Sequence, residues 1–288
     1  MKHSRFLHIT ALLLTSLSCT EIVDVEAPKR ASQAIIEGRI TTNGSVEVTV
    51  KASKPFFDNT PLPPIADADI LLYENGTEKG RLPHNNDIPG TYTRRFPRLQ
   101  LGNTYHLQVT IPESNPHLPG NTWVSTPDTL KRVFQYDSVT QKNLDLTTVP
   151  AAFDEGAHAL GYFREPQGSG DFFQIITVIN DTIQSTEIFI LSDEFVDGRH
   201  IGTDFPPLTL YGPFDQPGDQ LKIFTFSITK NHYDYLLRVQ EQTSTGTLFD
   251  PPPAPLYGNF HNKNNPEELA FGFFGASSVS VDTLTYLP

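Results

Sequence analysis

A mainly β fold is predicted by three observations on this chain. Its 24 prolines and 19 glycines interrupt the sequence too often for long helices. Between them lie short runs rich in β-branched and aromatic residues that alternate apolar and polar, such as Val46, Val48 and Val50 against Glu47, Thr49 and Lys51. Turn-forming pairs separate the runs: Asn43-Gly44, Asn75-Gly76, Pro89-Gly90 and Gly102-Asn103. Strands are therefore expected at 33–41, 45–53, 68–74, 91–96 and 104–111, with a closing strand near Trp123. The series Ala66-Asp67-Ala68, Gly90-Thr91-Tyr92 and Gly102-Asn103-Thr104-Tyr105 resembles the immunoglobulin-like or transthyretin-like modules of exported bacterial proteins. That resemblance implies a β-sandwich over 33–131.

The remainder, 132–288, is expected to be a second β-rich domain with one short helix. Longer strands are predicted at 158–164, 172–180, 186–191 and 220–229, and the apolar run from Phe172 to Ile179 reads as a central strand covered on both faces. The helix is placed at 230–243, with Thr229 as N-cap, Tyr233, Leu236, Leu237 and Gln240 at helical spacing, and Gly246 beyond its end. Aromatics at that spacing are expected to pack. Pro251–Pro253 impose an extended segment, and Gly272 and Gly275 allow close approach inside a strand-like run.

The first residues carry Lys2 and Arg5, then an apolar stretch over 6–17, then Ser18 and Cys19. A stretch of about a dozen residues is shorter than the roughly 20 a bilayer-spanning helix needs, so 1–18 reads as an export signal peptide. Cys19 is the single cysteine of the chain. It has no partner for an internal disulfide, and its place after a signal marks it as a lipid attachment site. Ser16 and Leu17 depart from the usual lipobox order. Residues 19–32 then form a lipidated tether, in which Glu21, Asp24 and Glu26 resemble the surface-export signals of Bacteroidota lipoproteins. The net charge of −12 becomes more acidic once Lys2 and Arg5 leave with the signal. No basic stripe offsets it, which excludes nucleic-acid binding.

No His-Glu-x-x-His, phosphate-cradling glycine loop or Gly-x-Ser-x-Gly elbow occurs in the sequence. Catalytic residues and metal ligands are therefore expected to be none, and no cofactor is implied. Carboxylates cluster at Asp67/Asp69, Asp154/Glu155 and Asp193/Glu194/Asp197, where solvated surface is the expectation. His84-Asn85-Asn86-Asp87 offers oxygen ligands for calcium but lacks the alternating spacing of a calcium loop, and a turn is expected. Phe56, Phe57, Asp58, Phe249 and Asp250 stand in proline-flanked segments and are candidate partner or ligand contacts; packing at the domain ends is the competing expectation.

Taken together, Cys19 with its acidic tether, Ile35-Ile36-Glu37-Gly38, Pro55-Phe56-Phe57-Asp58 and the stretch 246–277 make the mature chain resemble the Bacteroidota lipoproteins grouped as domain-of-unknown-function family forty-two forty-nine. The resemblance implies an outer-membrane lipoprotein encoded beside a TonB-dependent transporter, and the acidic tether Glu21, Asp24 and Glu26 is expected to turn it toward the cell exterior. The expected role is a non-enzymatic accessory or ligand-binding partner of that transporter in nutrient uptake. Two other readings stay open: a surface hydrolase with a dispersed carboxylate site, and an adhesive or structural surface protein, for which a deep pocket should be missing.

Overall fold

Apolar and polar residues in alternation give a pleated strand one face for the core and one for solvent, and this pattern builds the first sheet. The computed structural model describes residues 31–55, 58–97, 99–145, 154–183, 188–243 and 254–288. The described residues of 32–54 and 60–288 form one compact unit. The chain is mainly β, as the sequence predicts.

The N-terminal strands are β1 (Ala34–Thr41), β2 (Ser45–Ala52), β3 (Asp69–Glu74), β4 (Thr77–Leu82), β5 (Thr91–Arg95), β6 (Thr104–Ile111), β7 (Asn121–Ser125) and β8 (Asp128–Thr129). In the β1–β2 hairpin Ile36 faces Val50 and Ile40 faces Val46, all four fully buried. With Tyr92, Tyr105, Leu107 and Phe274 they belong to the first hydrophobic core.

β9 (Ser138–Leu144), β10 (Gly156–Arg164), β11 (Phe172–Ile179), β12 (Thr182–Ile183), β13 (Phe189–Ser192), β14 (His200–Ile201), β15 (Leu208–Tyr211) and β16 (Gln220–Ile228) follow. Helix α1 (Lys230–Thr243) then leads to β17 (Tyr257–Asn262), β18 (Leu269–Phe271), β19 (Phe274–Ser277) and β20 (Val279–Thr285).

The expected boundary after residue 131 does not divide the chain into self-contained sandwiches. The first sheet runs β4-β3-β6-β7-β17-β18-β1-β2-β5, with β19 also on β1, so residues 257–277 complete a sheet begun two hundred positions earlier. Without them β1 and β7 would each present an open edge. β18 and β19 run parallel to β1, with Ile35 opposite Phe271 and Gly38 opposite Phe274. At the break between them Gly272 takes a φ of +84°, and a Cβ there would stand 2.3 Å from the Ile36 carbonyl oxygen. Close backbone approach, expected at Gly272, is what the structure has. At Gly275 the close neighbour is a side chain instead, the His232 imidazole. The sheet's two ends also meet: Thr93 N–H donates to Pro83 O and Asn85 N–H to Thr91 O, so β5 pairs with the segment that follows β4.

The second layer pair joins β9, β10, β14 and β15 to the sheet β12-β11-β16-β20, with β13 on β11. Between them Phe134, Tyr136, Phe163 and Phe173 form an aromatic cluster, Phe134 stacking on Phe163 at 3.8 Å between ring centroids. Each such ring stabilises by roughly 1.5–3 kcal/mol relative to exposure. β11 buries Phe173, Ile175 and Ile179 on this side. Its other face is only half covered, Phe172 and Ile176 packing with α1 residues Tyr233 and Leu236. The strand expected to be buried on both faces is thus buried on one.

Helix α1 spans the residues predicted, but its buried side chains are His232 and Leu236, while Leu237 is exposed. The Thr229 carbonyl accepts the Tyr233 N–H, as the start of a helix requires, whereas its hydroxyl donates to Asp128 Oδ1 at 2.5 Å. Thr229 therefore fastens the helix to the β8 segment. Asp128 Oδ2 accepts the Ala276 N–H at 2.8 Å, so one buried carboxylate links β8, β19 and the start of α1.

Candidate functional site

The expected lipid attachment residue Cys19 and the candidate contacts Phe56, Phe57, Phe249 and Asp250 lie outside the described residues. Asp58 is described: it is exposed, and its N–H donates to the Pro55 carbonyl. At His84–Asp87 the turn reading holds, because Asn85 Oδ1 accepts the Asp87 N–H at 3.0 Å and His84 Nε2 accepts the Gly90 N–H at 3.1 Å. Asp67, Asp154 and Glu155 are exposed, and Asp69 pairs with Arg81 at the surface.

The structure corrects one expectation. Asp193, read as solvated surface, is buried with 4% of its area exposed, and it meets Glu165, a residue the sequence does not single out. Ligand atoms of Glu165, Asp193 and Asp197 lie within 4.8 Å of one another. At that separation two carboxylates repel by roughly 3–4 kcal/mol for an effective dielectric constant of about 20. What holds them together is a set of backbone amides. Gly198 N–H donates to Glu165 Oε2 at 2.8 Å, Gly168 N–H to Asp197 Oδ1 at 2.8 Å, and Gly170 and Asp171 N–H to Asp193 Oδ2 at 2.8 and 3.0 Å. Each of the two loops thus supplies carboxylates to the amides of the other.

Local sequence explains the turn. Glu165 follows β10 and is fixed by its own N–H to Arg199 O, while Asp193 follows β13 and its carbonyl accepts the Val196 N–H. Gly198 has φ +68°, a left-handed conformation that a side chain would strain, and its N–H is the one that reaches Glu165. Burial, then the charges of Asp193, Asp171 and Asp197, push the Glu165 carboxyl up to about 7 against the pull of the Gly198 N–H. Burial also raises Asp171, opposed by Lys131.

Two of these carboxylates, Glu165 and Asp193, line a cavity of about 640 Å³ in this part of the fold. Leu144, Leu160, Phe163, Phe173, Leu191 and Leu208 line its apolar walls, and Glu165, Asp193 and Lys142 are the charged groups on its lining. Its size and lining are those of a small-molecule site, in which apolar walls bind and a few polar groups orient. The model of the family described as "Domain of unknown function (DUF4249)" matches residues 20–283. The chain belongs to that family. No curated protein matches the sequence. Among solved structures, a two-domain fibronectin type III segment of chicken tenascin is similar at 12% identity, covering 68% of this chain and 90% of that one, with a TM-score of 0.21. A likeness that slight carries no argument about the DUF4249 chain.

A second cavity of about 590 Å³ lies where β1 and β2 approach α1 and β16. Arg39 stands 4.2 Å over the Phe226 ring and donates to Gln174 Oε1, and burial lowers its guanidinium to about 10. His232 stacks on Phe273, its imidazole held down to about 3 by burial and then by the Arg39 charge. Charged and hydroxyl side chains, including Glu37, Glu47 and Ser45, fill much of that lining, so it offers less apolar contact than the first. Among the described residues no helix is long and apolar enough to cross a membrane.

Proposed function

We propose that this chain is a lipid-anchored, non-enzymatic binding protein of the outer membrane that takes an apolar ligand into the cavity between β10, β11, β13 and β15 and serves a TonB-dependent transporter as an accessory. The observation that carries the reading is the cavity itself: about 640 Å³ with leucine and phenylalanine walls. Burying a ligand against such walls contributes about 25 cal/mol per Å² of apolar surface removed from water, before ordering costs. The anchor and the outward-facing location rest on Cys19 and the acids that follow it; the transporter partnership rests on the family resemblance. The adhesive reading expects no such cavity.

Extraction in mild detergent and recovery through a C-terminal tag tests the proposal. The transporter should co-purify, and an organic extract of the purified protein should contain an apolar compound in stoichiometric amount. A chain always recovered alone and empty would overturn it.

The hydrolase reading has one observation in its favour, the Glu165 carboxyl on the cavity lining raised to about 7 beside Asp193 and Asp197, the sort of split environment that separates an acid from a base. A screen on glycans and peptides decides it: hydrolysis that Glu165→Gln abolishes would replace the binding role with a catalytic one.

A further inference from the structure

Ligand atoms of three carboxylates, Glu165, Asp193 and Asp197, are held within 4.8 Å of one another. Repulsion alone would drive them apart or out to solvent. Glu165 cannot swing out: it is 2% exposed, and its Oε1 is a buried atom with no hydrogen-bond partner. Such an oxygen is costly to leave unpaired, because a carboxylate taken from water loses strong hydration and needs a donor or a cation in exchange. Among the described residues none of Glu165, Asp193 and Asp197 has an ion pair with lysine or arginine; Lys131 lies 3.9 Å from Asp171 Oδ1 and donates to Gly170 O instead. One oxygen on each of the three is fixed by backbone N–H groups, which orients the carboxylates before any ligand arrives.

We propose that Glu165, Asp193 and Asp197 form a binding site for a hard divalent cation, calcium foremost, which clamps loop 165–171 to loop 193–198 beside the apolar cavity that Glu165 and Asp193 line. The donor set fits that class of ion. All three donors are carboxylate oxygens, with no histidine or cysteine in the cluster, so soft-ligand and zinc chemistry is not favoured. Calcium accepts carboxylates in irregular arrangements, whereas magnesium demands near-ideal octahedral geometry and keeps its water. The cation site stands whether or not the cavity takes an apolar ligand, since its argument uses only the carboxylates and their loops.

The test is calorimetric titration of CaCl₂ into the purified full-length mature chain after removal of metal with EDTA, with MgCl₂ and ZnCl₂ in parallel. The expected result is one saturable calcium site per chain with Kd on the order of 10⁻⁴ M, as in extracellular calcium modules, and a melting temperature that rises with calcium. Glu165→Gln removes the charge with little change of shape and should weaken calcium binding by tenfold or more. Asp197→Asn, at an exposed position where the amide oxygen can still accept the Gly168 N–H, should weaken it by threefold or more; it decides the matter if the Glu165 variant fails to fold. No saturable calcium binding by the wild type would overturn the proposal, as would tighter binding of magnesium or zinc, or calcium affinity unchanged in Asp197→Asn.

Discussion

Replacing Asp128 by alanine tests how the two layer pairs are joined. The Asp128 carboxylate is 5% exposed and accepts the Thr229 hydroxyl at 2.5 Å and the Ala276 N–H at 2.8 Å, both from segments far away in sequence. Its removal strands two donors in the interior, Ala276 itself being 1% exposed. Hydrogen bonds to charged acceptors contribute about 1.5–3 kcal/mol each, and the donors left behind keep most of their desolvation cost. The expected loss is therefore about 3–5 kcal/mol. Part of it is offset because burial raises the Asp128 carboxyl above its ordinary value, so the acid is itself costly to bury ionised. For a chain of this size about 1 kcal/mol moves the melting temperature by roughly 2–4 °C, which puts Asp128→Ala about 6–20 °C below wild type. Urea unfolding followed by tryptophan fluorescence reports on Trp123 in the first core, and near-ultraviolet circular dichroism adds the aromatic cluster of the second. A loss below about 1 kcal/mol would show that the linkage through Asp128 does not hold the chain together.

Other predictions follow from single sites. Because His232 is held down to about 3 against an ordinary 6.5, the unfolded chain binds a proton there that the folded chain refuses; stability conferred by the neutral ring is full above pH 6.5 and falls as pH drops toward 3. At about 1.4 kcal/mol per unit this approaches 4–5 kcal/mol at the acid end, and in urea melts across that window the wild type should lose, as pH falls, stability that His232→Phe keeps. Gly161→Ala places a methyl 2.5 Å from Tyr136 Cε1 and 2.9 Å from Leu210 Cδ1, so overpacking should cost about 1–3 kcal/mol in the same melts. Cys19→Ala should release the protein from membranes with its melting curve unchanged; palmitate label incorporated equally by both forms would exclude attachment at that residue.

Much of the fold was legible because strand formation is written locally. β6 (Thr104–Ile111) and α1 (Lys230–Thr243) occupy the residues predicted, β6 because its apolar alternation is strict and α1 because its ends are marked, although the face it buries is not the one the spacing suggested. The order of strands was not legible. Nothing in Tyr257–Asn262 or Phe274–Ser277 announces pairing with β7 and β1, because edge complementarity is a property of the assembled sheet. The candidate site was hidden for a similar reason. Asp193 and Asp197 stand in a run that reads as solvated, and their partner Glu165 comes 28 positions earlier, in a segment whose only local cue is its density of glycine and proline. That cue, Glu165-Pro166-Gln167-Gly168-Ser169-Gly170-Asp171, marks a loop able to aim several N–H groups at one anion. Sequence spacing could not show that two such loops face each other.

Titration of the purified chain with a fluorescent fatty-acid analogue tests most directly whether the cavity between β10, β11, β13 and β15 holds an apolar ligand. Wild type should bind one probe per chain in the micromolar range, with emission shifted to the blue. Leu208→Trp, which fills part of the lining from a half-buried position, should weaken binding by about tenfold, the factor that 1.4 kcal/mol of lost contact gives, while its melting temperature stays close to wild type. Binding of the same affinity in wild type and Leu208→Trp, or none in either, would contradict the assignment of this cavity as the ligand site.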